Sequence, residues 1–174
     1  MNRSDAVELH LERFDRARHD RGSFDCGVDA LNTYLKTSLG QQHRRDVTRG
    51  YVLADDRGRV AGFFTLSAGL LRVGAIPGGH GFPVRMPLPT TLLGRLAVDL
   101  AFRGRGLGER MLVEALRLAV ETSEIVASAV IEVDAKDESA RAFYQNYGFQ
   151  SLPDDREHMY LPMATARKVF EEGR

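Results

Sequence analysis

The run Arg103-Gly104-Arg105-Gly106-Leu107-Gly108 constrains the fold more than any other stretch of this chain. It stands between an apolar segment, residues 90–100 (T-T-L-L-G-R-L-A-V-D-L), and a segment of helical period, residues 108–121. On the latter, Met111, Leu112, Ala115, Leu116 and Ala119 form one apolar stripe. Strand, glycine-rich turn and helix in that order put backbone N–H groups without intrahelical acceptors at a helix start. The helix dipole adds partial positive charge, so such a turn holds a phosphate well. Gly106 and Gly108 let the backbone approach a bulky anion, and Arg103 and Arg105 add charge-assisted contacts. Two nucleotide signatures fail on spacing. A P-loop needs Gly-Lys-Ser/Thr, whereas Glu109-Arg110 follow Gly108, and a dinucleotide fingerprint begun at Gly104 needs glycine at position 109.

The flanking patterns describe a mixed α/β domain around a central sheet. Residues 7–14 alternate apolar and polar, as a half-buried strand does. Val28, Leu31, Leu35 and Leu39 mark an amphipathic helix with Asp25 as its cap. Residues 51–54, a turn at 55–58 and residues 60–67 read as a β-hairpin. Four glycines and four prolines make residues 74–89 a loop or a frayed edge. Residues 90–100 and the β-branched run 125–133 are central strands. Residues 139–147 form a short helix, with Asp137 or Ser139 near its start, and 149–152 and 158–162 are two closing strands. The predicted order is β-α-β-β, loop, β-α-β-α-β-β.

Length limits the chain to one domain, residues 1–174. Hydrophobic residues make up 43% and charged residues 28%, a globular balance, and no apolar run is long enough to span a bilayer. Residues 1–5 are charged and lack the apolar stretch of a secretory signal, so a soluble cytoplasmic protein is expected. A single cysteine, Cys26, excludes an internal disulfide framework and is read as a packing residue. The five histidines show no ligand spacing, and no metal is expected. Net charge is +0, but unevenly spread. Residues 57–108 hold seven arginines against Asp99 alone, a net +6, while residues 121–174 hold six bases against eleven acids, a net −5. The basic middle is either a local site for a polyanion or a solvated face of an arginine-rich protein.

The motif Arg103-x-x-Gly106-x-Gly108 resembles the pyrophosphate loop of the GNAT N-acetyltransferases. Four further stretches resemble the GNAT-type toxins of bacterial toxin–antitoxin pairs. They are Phe24-Asp25-Cys26-Gly27 ahead of an amphipathic helix, Leu93-Gly94-Arg95-Leu96-Ala97-Val98-Asp99, Ala142-Phe143-Tyr144-Gln145-Asn146-Tyr147-Gly148-Phe149, and Leu161-Pro162-Met163. The likeness extends over roughly residues 7–165. It implies the GNAT fold, a central and mostly antiparallel sheet flanked by helices. It also implies acetyl transfer from acetyl-CoA to the α-amino group of an aminoacyl-tRNA, which stops translation. A homodimer restrained by a ribbon-helix-helix antitoxin would be the working assembly. Two other readings stay open: a GNAT enzyme for a small amine or a protein N-terminus, and a non-catalytic acetyl-CoA-binding regulator.

The resemblance places Leu96, Ala97 and Val98 along the pantetheine arm and Arg103, Gly104, Arg105, Gly106, Leu107 and Gly108 on the pyrophosphate. Ser139 would also reach the cofactor, and Tyr144 would be the general acid. The chemistry asks for an oxyanion donor, which the Val98 N–H can supply from a strand edge. A tyrosine with an ordinary pKa of about 10 suits protonation of the departing thiolate. Helical spacing predicts Phe143 packed inward and Tyr144 turned about 100° from it, toward the cofactor. An aminoacyl ester's amine needs no strong base, and Asp99 and Glu132 are candidates as either bases or solvated, structural carboxylates. Arg44, Arg45 and Arg49, with Arg85 and Arg95, would flank the substrate cleft and contact tRNA phosphates. Arg95 points to the strand face opposite Leu96.

Overall fold

The computed structural model describes residues 7–77, 81–82 and 85–172. The charged opening at residues 1–5, His80, and positions 78–80 and 83–84 of the Gly/Pro-rich stretch lie outside the described residues. The alternating and apolar stretches become seven strands: β1 (His10–Arg13), β2 (Arg49–Ala54), β3 (Val60–Leu71), β4 (Leu88–Val98), β5 (Val130–Asp134), β6 (Gln150–Leu152) and β7 (Asp155–Pro162). They hydrogen-bond in the order β1-β2-β3-β4-β5-β7-β6. Five helices accompany them: α1 (Asp29–Thr33), α2 (Leu39–Arg44), α3 (Leu107–Ser123), α4 (Glu138–Gln145) and α5 (Met163–Glu171). The chain divides into two compact units, Met1–Leu66 with Arg95–Val113 and Ser67–Gly94 with Glu114–Arg174.

In the first unit, β1 pairs antiparallel with β2 from His10↔Ala54 to Arg13↔Tyr51, and β2 pairs antiparallel with β3. This is the hairpin the sequence predicts. Phe24, Leu35, Leu39, Val52 and Phe63 are fully buried on one face of that ladder. The helix predicted over 28–39 arrives in three pieces, because a π-helical turn (Tyr34–Ser38) separates α1 from α2. A four-residue step overshoots a full α-helical turn by about 40°. Leucines at 31, 35 and 39 would therefore drift around a regular helix, and the wider turn takes up that excess so that Leu35 and Leu39 both reach the core. Asp25 does not cap this helix. Val28 occupies the N-cap position, and the Asp25 carboxylate instead takes the Gly27 N–H at 2.8 Å and the Asn32 side-chain amide at 2.9 Å.

In the second unit, β4 and β5 run parallel from Thr90↔Val130 to Leu93↔Val133, and β5–β7 and β7–β6 are antiparallel. Leu71, Ile76, Leu88, Val130, Leu152 and Tyr160 form the core beside them. The expected strand over 125–133 is shorter than its β-branched content suggests. Ile125 is 86% exposed, and the amides of Ile125 and Val126 return to the Thr122 carbonyl at 3.0 and 2.9 Å, extending the end of α3 as a turn. Asp137 caps α4 by accepting the Ala140 N–H at 2.8 Å. Helix α5 lies where the sequence reading stopped; Met163 and Ala166 are its buried positions, too short an apolar stripe to stand out amid the charges of its second half. The stripe predicted for α3 is correct: Met111, Leu112, Ala115, Leu116 and Ala119 are all buried.

Helix α2 sits so close to β2 that a Cβ on Gly50 would lie 2.8 and 2.9 Å from the two methyls of Leu39 and 3.1 Å from Phe14 Cβ. All three neighbours are locked in the core. Gly50→Ala is therefore expected to destabilise the protein by about 1–3 kcal/mol through overpacking, although alanine suits a strand better than glycine. The urea midpoint measures it.

Candidate active site

The glycine-rich turn is built from β4 outward. After Val98 the chain meets Asp99, whose side chain is buried at 4% exposure. One carboxylate oxygen takes the Ala101 N–H at 2.8 Å, starting a single 3₁₀ turn (Leu100–Phe102), and the other takes the Asp25 N–H at 3.0 Å. Backbone bonds complete the clamp: Leu100 N–H to Asp25 O and Asp99 N–H to Ala61 O, both 2.8 Å. Asn32 extends it through its carbonyl to the Cys26 N–H at 2.9 Å. The motif Phe24-Asp25-Cys26-Gly27 is thus the seat on which the turn rests. Cys26 itself is buried in the core, as the packing reading has it. Asp99, a candidate base by sequence, has both oxygens engaged by amides and is structural.

Beyond the clamp, Gly104 and Gly106 take positive φ values of +76° and +68°, which side-chain-bearing residues rarely adopt. A Cβ on Gly104, Gly106 or Gly108 would meet nothing within 4 Å, so the turn faces open space. The first helical bond of α3 is Arg110 N–H to Gly106 O at 3.0 Å. The amides of Leu107, Gly108 and Glu109 therefore have no intrahelical acceptor, at the N-terminus of a 17-residue helix. Arg103 is pinned by a 3.2 Å bond to Cys26 O. Arg105 lies over the Phe102 ring at 5.2 Å, and Arg59, which sequence reasoning passed over, lies at 5.0 Å from the same ring. Two guanidiniums gathered on one aromatic make this end of the first unit strongly positive. The donor set suits a pyrophosphate.

On β4, Ala97 is buried and Leu96 and Val98 are half-buried. Successive strand N–H groups point to opposite edges, and that of Asp99 points to Ala61 on β3. The Val98 N–H consequently faces the other edge, along which the β5 register has already ended at Leu93↔Val133. Arg95 leaves the strand with its guanidinium 3.6 Å above the Tyr34 ring, and the Tyr34 hydroxyl donates to Gln42 at 2.7 Å.

In the second unit, Tyr144 is 8% exposed, with Phe143 and Phe149 edge-on at 5.3 and 5.5 Å. Burial pushes its hydroxyl pKa up to about 12. The packing differs from the expectation: Phe143 is only half-buried and Tyr144 is the more buried ring, because Tyr144 packs against Phe149 just after the helix. Ser139 is exposed in the first turn of α4. Glu132 is neither at a strand end nor solvated. It is 5% exposed, with one oxygen 2.6 Å from His158 Nε2 and the other accepting from the Thr90 hydroxyl, and a Cβ on Gly69 would come within 3.0 Å of it.

The five arginines assigned to the substrate differ in their surroundings. Arg44 and Arg45 are exposed at the end of α2, and Arg85 is exposed in the segment before β4. Arg49 is occupied: it pairs with Asp46 and donates to His43 O at 2.9 Å. Among the described residues, no group of three or more His, Cys, Asp or Glu side chains is arranged to hold a metal ion, and no helix is long and apolar enough to cross a membrane.

The acetyltransferase (GNAT) family model matches residues 13–149. The chain is 36% identical over 151 residues to the tRNA-acetylating toxin of Mycobacterium tuberculosis, covering 87% of this chain and 90% of that protein. Among solved structures it is similar to AtaT complexed with acetyl-methionyl-tRNAfMet, with a TM-score of 0.86 and 30% identity over 94% of this chain and 99% of that one. It is also similar to AtaTR bound with AcCoA, with a TM-score of 0.83 and 31% identity over 93% and 98% of the two chains.

Asp99→Asn keeps the shape of the clamp but turns one acceptor oxygen into a donor facing an amide. We expect a loss of about 1–3 kcal/mol, the cost of stranding a buried N–H, read from the urea midpoint.

Proposed function

Because the chain belongs to the GNAT acetyltransferase family, and within it to the GNAT-type toxins, we propose that it moves acetyl from acetyl-CoA to the α-amino group of an aminoacyl-tRNA and thereby blocks translation. The observation that carries this reading is the open amide cradle at Leu107, Gly108 and Glu109, held by the Asp99 clamp. Residues 1–174 act as one acetyltransferase domain.

The cradle amides and the helix dipole bind the pyrophosphate, with Arg103 and Arg105 supplying the charge that offsets it. Gly104, Gly106 and Leu107 shape that turn, Leu96 and Ala97 guide the pantetheine arm, and Ser139 adds a hydroxyl to the cofactor. Acetyl-CoA supplies an activated thioester carbonyl. The Val98 N–H, free on its strand edge, stabilises negative charge developing on the carbonyl oxygen. The amine nitrogen bonds to the acetyl carbon as the carbon–sulfur bond breaks, and Tyr144 gives its proton to the sulfur while the amine proton passes to solvent. With its pKa raised to about 12, Tyr144 holds that proton throughout the pH range in which aminoacyl esters survive. No dedicated base is required, because an aminoacyl ester's amine is substantially neutral near pH 7.

Arg44, Arg45, Arg85 and Arg95 contact the acceptor RNA in this reading, and Arg49 steadies the end of α2. A cytoplasmic homodimer, silenced by a ribbon-helix-helix antitoxin, fits an activity directed at tRNA. The similarity to the AtaT Y144F mutant toxin bound to the C-terminus of the antitoxin AtaR supports an antitoxin partner.

Incubation with labelled acetyl-CoA and bulk charged tRNA should place the label on the aminoacyl group. Equal transfer to free amines or peptides would overturn the tRNA reading. Acetyl-CoA should raise the melting temperature, and Gly106→Asp should abolish that rise by setting bulk and like charge beside the pyrophosphate. Tyr144→Phe should keep the rise but lower kcat about 10²-fold or more. Wild-type turnover in that variant would remove Tyr144 as the acid.

A further inference from the structure

The arginines of the first unit fall into two sets. Most are engaged within the protein. Arg18 donates to both Glu12 oxygens at 2.6 and 2.8 Å, which with the His19 contact holds the Glu12 pKa down to about 2. Arg21 donates to Lys36 O at 3.1 Å, Arg103 to Cys26 O, and Arg110 to Leu9 O at 2.8 Å, while Arg49 pairs with Asp46. Arg59, Arg95 and Arg105 lie over aromatic rings. Arg13, Arg16 and Arg44 make no ion pair among the described residues. Those three line a single open depression of about 430 Å³, with Phe14, Asp15, Gly40 and His43. Arg45 and Arg57 are equally unpaired but lie outside it.

The depression is built to stay in place. Asp15 fixes the turn that carries Arg16, its carboxylate taking the Ala17 N–H and its own N–H donating to His19 Nδ1, both at 2.9 Å. The His19 side chain is fully buried, and its Nε2 lies 3.0 Å from Glu12. On the α2 side, burial and then the charges of Arg49 and Arg13 lower the pKa of His43, so its ring is neutral at pH 7. Nδ1 accepts the Gly50 N–H at 3.1 Å, which leaves the proton on Nε2 as an uncharged donor. The one carboxylate in the lining, Asp15, already has an oxygen occupied, and Asp46 is near enough to feel Arg13. The surplus is positive. Phe14 closes the floor beneath the three guanidiniums.

We infer that this depression seats the phosphodiester backbone of the acceptor RNA, with Arg13, Arg16 and Arg44 as the phosphate anchors. The inference rests on the aminoacyl-tRNA reading and states where that RNA is held. Guanidinium forks match phosphate geometry, and three of them drawn from β1, the turn after it and α2 suit a string of phosphates better than one anion. The contacts are all to charge and shape, which is how a protein positions a nucleic acid irrespective of sequence. Arg44 belongs both to this set, adjacent in space, and to the run Arg44, Arg45 and Arg49, adjacent in sequence.

The test measures binding of unfractionated tRNA by fluorescence anisotropy between 50 and 200 mM KCl. It compares wild type with the triple variant Arg13→Gln, Arg16→Gln, Arg44→Gln, with Gly40→Leu, and with Arg57→Gln. The triple variant should flatten the slope of log affinity against log salt by about 2–3 and weaken binding about tenfold or more. Gly40→Leu adds a side chain that starts 3.6 Å from the Phe14 ring and 3.9 Å from the Arg16 stem, filling the floor with no change of charge. It should also weaken binding, whereas Arg57→Gln should not. Unchanged melting temperatures and acetyl-CoA shifts establish that every variant is folded. If wild type acetylates charged tRNA and the triple variant binds tRNA with the same slope and affinity, the depression is not the RNA seat, while the proposed function stands. Loss of binding to a polyglutamate peptide in that variant, with tRNA binding intact, overturns the inference in favour of an acidic protein segment. If wild type neither binds nor acetylates tRNA, the proposed function fails and this inference with it.

Discussion

The buried carboxylate of Asp99 is the point on which the candidate site depends. A charged group taken out of water is costly unless its oxygens are well paired, and here two amides from different parts of the chain pair them. One belongs to the 3₁₀ turn that launches the glycine-rich loop, the other to Asp25. The carboxylate therefore does two jobs. It ends strand β4 cleanly, and it ties the loop to the Asp25–Asn32 brace, so that the amides of residues 107–109 are presented by a rigid mount. Such preorganisation matters for an anion site, since amides already aimed at the ligand need no reorganisation when it binds.

A second buried carboxylate follows a similar logic without serving the loop. Glu132 sits inside the second unit with both oxygens engaged, by His158 and Thr90, and space for it is kept by the missing side chain of Gly69. Strand residues that look like candidate bases in a sequence are here absorbed by the fold. Tyr144 is different: burial raises its pKa to about 12, so its hydroxyl stays protonated at neutral pH.

What was legible in the sequence had a local cause. The α3 stripe, the β2–β3 hairpin, the Asp137 cap and the glycine-rich turn each follow from side-chain period or from residues a few positions apart. The mixed, mostly antiparallel sheet with one parallel ladder, β4–β5, also agrees with the expected GNAT fold. What was not legible depended on which side chain pairs with which, and period does not register that. Asp25 looks like a helix cap, but its carboxylate is taken by the Gly27 N–H and the Asn32 amide, while its own N–H holds Asp99, 74 residues away. Tyr144, not Phe143, is the more buried ring, because Phe149, beyond the helix, packs against it. The arginine partners were hidden too: Arg49 pairs with Asp46 only three residues away, whereas Arg13, Arg16 and Arg44 form no ion pair among the described residues, and side-chain period registers neither. A π turn at residues 34–38 was foreshadowed by leucines spaced four apart, a signal that periodicity alone registers as an ordinary helix.

The bond from Asp25 to Asp99 also has a kinetic meaning. It closes a loop of 74 residues that holds β2, β3 and β4, a contact whose entropy cost must be met before it contributes any stability. The amide cradle can take its final shape only when the N-terminal segment has docked against the end of β4. A newly made or refolding chain thus gains its anion site at the moment its topology closes, and cofactor binding reports completion of the first unit rather than the local folding of a turn and a helix.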